Sequence, residues 1–317
     1  MRALVLEPGG PRVTSAHTRP VSDGEALIRL VLGGVCATDL ELIKGYMGFS
    51  GVLGHECVGI VEDASDARWI GKRVVGEINC PCRSCPTCLA GRPTHCPHRS
   101  VLGIQDRDGV FAEAFRLPLE NLHAVPDEVS DEAAVFTEPL AAACRITEQV
   151  QVGPGDRVIV LGVGRLGQLC ARVLADTGAQ VYGVARSRAK LDLLPRPITP
   201  VPAADLADLP RADVVVECTG APGGLAVATG MVRPRGTLVL KTTLSTPASP
   251  DTNAWVIDEI SVIGSRCGPF DKALGLLASG AVDPTPLVTD RFSLEDGVAA
   301  LHSAGDSGNL KVLLSPE

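Results

Sequence analysis

Through the first ~120 residues, hydrophobic positions come in short Val/Ile/Leu runs such as 26–32 and 57–61, broken by Gly, Pro and Asp. Runs of that length closed by turn formers predict short strands and an irregular β-domain. From about Ser130 the rhythm changes. A helix is expected over 131–150, a strand over 157–161, a helix over 165–177 and a strand over 180–184. A strand over 213–217, a helix over 223–232 and a strand over 237–241 continue the series, each apolar run short and bounded by Gly or Pro. Strands alternating with helices in this way predict a parallel, doubly wound α/β sheet. After Gly264 come a helix over 271–279, a loop over 280–289, a helix over 294–303 and a strand over 310–314, a tail assigned back to the first domain. The Pro-rich stretch 194–210 reads as a surface loop, and the strand at 237–241 as a sheet edge open to pairing across a two-fold axis.

Composition narrows the class. The chain has 317 residues, too many for one ordinary core, and 45% hydrophobic against 21% charged residues suit a globular protein with a substantial interior. The net charge of −8 is dispersed, and no basic cluster offers the footprint that nucleic acid requires, so no nucleic-acid partner is expected. No stretch approaches the ~20 apolar residues of a membrane span, and the start is too short in apolar content for a signal peptide, so a cytoplasmic protein is expected. Eleven cysteines would suggest disulfides in a small secreted domain; here four crowd into one array, which points to reduced thiols and metal.

The strand expected at 157–161 runs into Gly162-Val163-Gly164-Arg165-Leu166-Gly167 and then directly into a helix. In this order the first glycine permits a tight turn, the second lets backbone approach a pyrophosphate, and the third allows close helix–strand packing. Dinucleotide binding follows. At the end of the next strand, where an NAD site places a carboxylate on the ribose, the residue is Ala185, followed by Arg186-Ser187-Arg188. Two guanidinium groups and a hydroxyl favour NADP(H) over NAD(H); the plainer reading is a pair of solvated charges opening a helix.

Cys82-x2-Cys85-x2-Cys88-x7-Cys96 supplies the four soft ligands of a closed tetrahedral zinc site, in a lobe whose low apolar content leaves folding energy to the metal. Cys80 lies outside the spacing, and His95 and His98 are not needed. A second group is scattered: Cys36 in Gly34-Val35-Cys36-Ala37-Thr38-Asp39, His55 and Glu56 after Gly54, and Glu138 in Thr137-Glu138-Pro139-Leu140. Spacing alone does not make this a metal site, since a Cys or His among apolar residues is more often a packed core residue. Cysteines 57, 144, 170, 218 and 267 fall in apolar segments and are assigned no function.

Taken together, these motifs resemble the zinc-dependent medium-chain dehydrogenase/reductase family, along essentially the whole chain and in family order. The resemblance implies a GroES-like catalytic domain of 1–139 and 265–317 interrupted by a Rossmann domain of 140–264, with a substrate cleft between them. It implies two zinc ions per chain, one held by the four-cysteine lobe near 80–97. The other, catalytic, would be held by Cys36, His55 and a carboxylate, with Glu56 and Glu138 as alternating or joint ligands as in the polyol-dehydrogenase-like branch. Zinc would act as a Lewis acid on an alcohol that gives hydride to the nicotinamide. Thr38 matches the family's proton-accepting hydroxyl. The histidine that often ends the relay is missing from Leu40-Glu41-Leu42-Ile43-Lys44, which leaves water or Glu41 as the exit. Asp39 is expected to orient a neighbour. Gly162, Gly164, Arg165, Leu166, Gly167, Thr219, Gly220, Arg266 and Lys311 match cofactor-contacting positions.

The expected activity is hydride transfer between NADP(H) and a secondary alcohol or ketone, a polyol, sugar or cyclitol. That choice rests on Glu138-Pro139-Leu140, on Glu41, Lys44 and Tyr46, and on only 3% aromatic residues to line an apolar pocket. A small aliphatic alcohol or aldehyde as substrate, and an NADP(H) sensor without turnover, are the competing readings. Zinc-free quinone or enoyl reductases lack the four-cysteine lobe present here. A homodimer, or a tetramer built from it, is the expected assembly.

Overall fold

A computed structural model describes residues 1–15, 22–243 and 250–317. In chain order its strands and α-helices are β1 Arg2–Glu7, β2 Gly10–Ser15, β3 Glu25–Gly34, α1 Ala37–Ile43, β4 Gly51–Val52, β5 Glu56–Ala64, β6 Arg73–Gly76, β7 Asn79–Cys80, α2 Pro86–Leu89, β8 Ser100–Val101, β9 Ala114–Pro118, β10 Leu122–Ala124, α3 Asp131–Ala134 and α4 Thr137–Gln149. They continue with β11 Arg157–Leu161, α5 Arg165–Asp176, β12 Gln180–Ala185, α6 Arg188–Asp192, β13 Thr199–Pro202, β14 Ala212–Glu217, α7 Gly224–Met231, β15 Val232–Leu240, α8 Thr252–Ile257 and β16 Ser261–Gly264. The last are α9 Phe270–Ala278, β17 Val288–Ser293, α10 Gly297–Gly305 and β18 Lys311–Ser315.

Two compact units emerge, Met1–Glu138 with Ala273–Glu317, and Pro139–Lys272. In the first, β3 is the organising strand, pairing with β5, β9 and β18 in a sheet ordered β10-β6-β5-β3-β18-β17. Its alternation puts Ala26, Ile28 and Leu30 in the core, fully buried, while Arg29 faces out. That period of two is what a sheet with one wet face requires.

The second unit holds a parallel sheet ordered β13-β12-β11-β14-β15-β16. Its central strands are the apolar runs Val158–Val160 and Val214–Val216, almost wholly buried, as strands covered on both faces must be. Segment 265–272 stays with this unit rather than returning at Ser265. Lys241 Nζ donates to Ser265 Oγ and the Arg266 carbonyl, Lys272 Nζ donates to Thr147 Oγ1, and a Cβ on Gly268 would stand 1.9 Å from the Ala141 carbonyl oxygen.

Three expectations from the sequence are corrected. The single helix at 131–150 is two, α3 and α4, and the Thr137 hydroxyl donates to the Ala134 carbonyl where they meet. The stretch 194–210 is not only loop: β13 pairs in parallel with β12, and its two prolines are tolerated because it is an edge strand. The segment 237–241 is not an edge, since β15 pairs on both sides and β16 lies outside it.

Candidate active site and metal centres

The scattered second group is assembled by strand register. Gly34, the last residue of β3, lies opposite Glu56, the first of β5, so the residues just beyond and just before, Cys36 and His55, become neighbours. One donor atom from each of Cys36, His55 and Glu56 lies within 4.8 Å of the others. Gly54, at φ +94°, packs so tightly on Phe111 that a Cβ would meet the ring at 2.5 Å, which fixes the turn that presents His55.

Asp39, fully buried in the first turn of α1, does two things. Its Oδ2 accepts from the Cys36 backbone N–H at 2.8 Å, and its Oδ1 faces His55 Nδ1 at 3.3 Å. Burial is the largest influence on His55 and disfavours its charged form, yet Asp39 and Cys36 together outweigh it and hold the imidazole pKa well above its ordinary value. A carboxylate behind one ring nitrogen leaves the other for a metal, the arrangement that orients ligating histidines. Thr38 Oγ1 lies 3.7 Å from Cys36 Sγ. Glu41 is engaged by Lys44 at 2.8 Å.

The structure does not bring Glu138 into this donor group; it sits part-exposed in the first turn of α4. Lys311, matched by resemblance to a cofactor contact, enters on β18, whose Leu313 pairs with Gly34, and its ammonium donates to Glu56 Oε2. Both partners are buried, and the ammonium also lies 5.2 Å from the centre of the Phe136 ring. Gly34 makes the room: a Cβ there would stand 2.6 Å from Glu56 Oε2. The signal that could have found this pair is one lysine inside the otherwise apolar run 310–314.

In the cysteine lobe, Cys85 and Cys88 sulfurs are 3.5 Å apart, Cys85 and Cys96 3.8 Å, Cys96 and Cys82 3.5 Å. Zn–S bonds of ~2.3 Å in a tetrahedron put sulfurs ~3.8 Å apart, so the group fits zinc. Backbone N–H groups of Ser84 and Cys85 pull the Cys82 thiol down to about 6, and desolvation pushes Cys88 up to about 12. Cys80 turns away, within 3.6 Å of Asn121 Nδ2. Leu89 in the same lobe is 76% exposed, a mark of how little core the lobe has.

At the glycine loop, Gly162 has φ +94°, a Cβ on it would meet the Cys218 carbonyl at 2.8 Å, and one on Gly167 would meet the Gly162 carbonyl at 2.0 Å. Gly164, by contrast, has nothing within 4 Å: its missing side chain leaves open space in front of α5, a cradle suited to a pyrophosphate. Leu166 follows Arg165 in the first turn of that helix. Thr219 donates its hydroxyl and N–H to the buried Glu217 carboxylate, and Gly220 N–H donates to Thr242 Oγ1. Arg186, Ser187 and Arg188 are exposed, with Arg188 engaging Asp192 at 2.8 Å. A fourth cation, Lys190, was missed by the sequence reading. Burial first, then the charges of Arg165 and Arg186, lower its pKa. The spacing Arg186-Ser187-Arg188-Ala189-Lys190 could have disclosed it.

Residues 22–127 match the alcohol dehydrogenase GroES-like domain family. The sorbitol dehydrogenase of Halalkalibacterium halodurans is 29% identical, the alignment covering 100% of this chain and 99% of the relative. Alcohol dehydrogenase TADH from Thermus sp. ATN1 superposes with a TM-score of 0.91 at 28% identity, covering 100% of both chains. A Sinorhizobium meliloti 1021 protein solved with NADP bound does so at 0.91 and 27%, covering 99% of each. No helix among the described residues is long and apolar enough to cross a membrane. With its GroES-like domain, its parallel dinucleotide-type sheet and these relatives, the chain is similar to zinc-type medium-chain dehydrogenases of the polyol-dehydrogenase branch and is an oxidoreductase acting on alcohols.

Proposed function

We propose that this chain transfers a hydride between NADP(H) and a secondary alcohol or its ketone, of polyol, sugar or cyclitol type, with one catalytic and one structural zinc. The observation that carries the reading is the donor set of part-buried Cys36 with buried His55 and Glu56, and Asp39 behind the imidazole. Three ligands of mixed sulfur, nitrogen and oxygen type would leave a position open for substrate, as catalytic rather than structural zinc requires. A zinc ion bound there would supply Lewis acidity toward the substrate oxygen, and a bound nicotinamide would supply the hydride acceptor or donor.

The chain's own residues do the rest. Cys36, His55 and Glu56 would hold the ion, Lys311 restrains the Glu56 carboxylate through its Oε2, and Glu138 would be the alternative carboxylate. Asp39 keeps the His55 ring in one orientation. Thr38 Oγ1 accepts the substrate hydroxyl proton and passes one on to water, because Glu41 is tied to Lys44. Cys82, Cys85, Cys88 and Cys96 would hold the second zinc.

The preference for NADP(H) is supported by Ala185 at the tip of β12, where a carboxylate would repel a 2′-phosphate, and by the charges of Arg165 and Arg186 felt at Lys190, with Ser187 next to Arg186. Polyol chemistry is supported by the likeness to a sorbitol dehydrogenase. A homodimer formed through the edge strand β16 is supported by its part-exposed Val262 and by Val256 and Ile257 on α8, 77% and 78% exposed.

Metal analysis with NADPH and NADH titration, on the natural chain and on Cys36→Ala, tests the reading. About two zinc ions per chain falling to about one, with NADPH binding kept and turnover of every polyol and cyclitol lost, is the expected result. One zinc in both proteins removes the catalytic ion and leaves a cofactor-binding protein. Sedimentation as a monomer at micromolar concentration removes the dimer.

A further inference from the structure

A buried polar strap joins the glycine loop to the segment that carries the cations. Gln168 and Arg172 stand one turn apart on α5, both buried, on a helix whose neighbouring buried residues are otherwise apolar. Gln168 Nε2 donates to the Lys190 carbonyl at 2.6 Å and to the Val163 carbonyl at 3.4 Å. Its Oε1 accepts from Arg172 Nη1 at 2.6 Å, and Arg172 Nη2 donates to the Leu193 carbonyl at 2.9 Å. Three backbone carbonyls are thus gripped from one helix: one in the glycine loop, one inside α6 and one just past its end.

Leucine or methionine would fill the seam between α5 and α6 with no polar group to desolvate, so these two side chains are costly choices for stability alone. What they fix is the backbone on which Arg186, Ser187, Arg188 and Lys190 stand. Cations held together repel, and Lys190 already feels both Arg165 and Arg186. Without a restraint, that segment would relax away from the glycine loop, and a dianionic group would have to gather the cations at the moment of binding. A restrained segment meets the anion already assembled.

We infer that Gln168 and Arg172 are positioning residues for cofactor choice: by holding α6 against the glycine loop they set how strongly the chain prefers a dinucleotide bearing a 2′-phosphate. This rests on the NADP(H) reading above. Neither side chain is argued to touch the cofactor; both act through the backbone of the 186–190 segment.

Gln168→Glu is the discriminating variant, because a carboxylate still accepts from Arg172 but can donate to neither carbonyl. Dissociation constants for NADPH and NADH are measured by fluorescence titration on the full chain, beside Arg186→Ala and the double variant, with thermal unfolding followed throughout. The natural chain is expected to favour NADPH. Gln168→Glu should weaken NADPH about tenfold and NADH less than about twofold, and should add little to Arg186→Ala. Should Gln168→Glu not fold, Arg172→Lys, which keeps one donor but loses the second arm to Leu193, carries the same expectation. Equal weakening of both cofactors, or an unchanged preference, overturns the strap while leaving the NADP(H) reading intact. Equal affinity of the natural chain for the two cofactors overturns that reading, and the strap's role with it.

Discussion

The two metal-type clusters of the first unit are built on opposite principles. The cysteine lobe draws all its donors from a single short segment, Cys82 to Cys96, with almost no core beneath it. The Cys36, His55 and Glu56 cluster lies at the end of a well-packed sheet, drawing on two strands, a helix start and, through Lys311, a third strand from far along the chain. In the lobe a metal would stand in for a fold; at the second site the fold stands ready for a metal. Proximity in sequence and independence from the metal vary inversely here, because a local loop has nothing but its ligands to order it, whereas a site made of distant segments is ordered by the sheet that brings them together.

The sharpest break of that comparison is Cys96→Ala. Structural zinc in small lobes contributes on the order of 10 kcal/mol to local folding, so this variant should lose one zinc and open the 80–97 segment to protease, with the rest of the chain folded. The matching variant at the second site, His55→Ala, should lose a zinc with no new protease site. A protease pattern shared by both variants would erase the distinction.

Next in size is Lys311→Met. It leaves the buried Glu56 carboxylate without its cation and should lower unfolding free energy by ~3–5 kcal/mol in denaturant titration of the metal-free chain. A loss under about 1 kcal/mol would mean that Glu56 is adequately solvated without it. Smaller again, Asp39→Asn should weaken zinc at the second site by ~10–100-fold in competition with a chromophoric chelator while the four-cysteine site is unchanged. An equal loss at both sites would show that Asp39 supports the fold rather than the ring of His55.

The smallest effect concerns pH. The Lys190 pKa is lowered from its usual value by burial and by Arg165 and Arg186, so its charge disappears earlier than an ordinary lysine's as pH rises. An anion is then bound less well on the alkaline side. NADPH affinity should therefore decline as pH climbs toward the lysine range, and Lys190→Met should flatten that decline at a cost of a few-fold in affinity near neutrality. NADH binding should show neither effect.

How far the sequence could be read follows the same division. The four-cysteine array and the glycine motif are local, and their spacing alone disclosed them. The parallel sheet was readable because its central strands are unbroken apolar runs with glycine or proline at their ends. Cys36, His55 and Glu56 became a candidate only through resemblance, since nothing in the spacing of residues 36, 55 and 56 says that Gly34 will lie opposite Glu56. The pairing of Lys311 with Glu56 and the Gln168–Arg172 strap escaped notice because a buried ion pair and a buried amide are defined by what surrounds them. β13 was hidden by its prolines, which argue against a strand everywhere except at an edge.

Register has a last consequence, for the order in which the molecule matures. Successive strand residues point to opposite faces, so a one-residue slip of β3 against β5 would turn Glu56 away from Cys36, and the donor set would never close. Lys311, which tethers Glu56, is synthesised 255 residues later. A nascent chain therefore presents its four lobe cysteines while Glu56 still lacks its cation, and the buried carboxylate is paired only once β18 has docked.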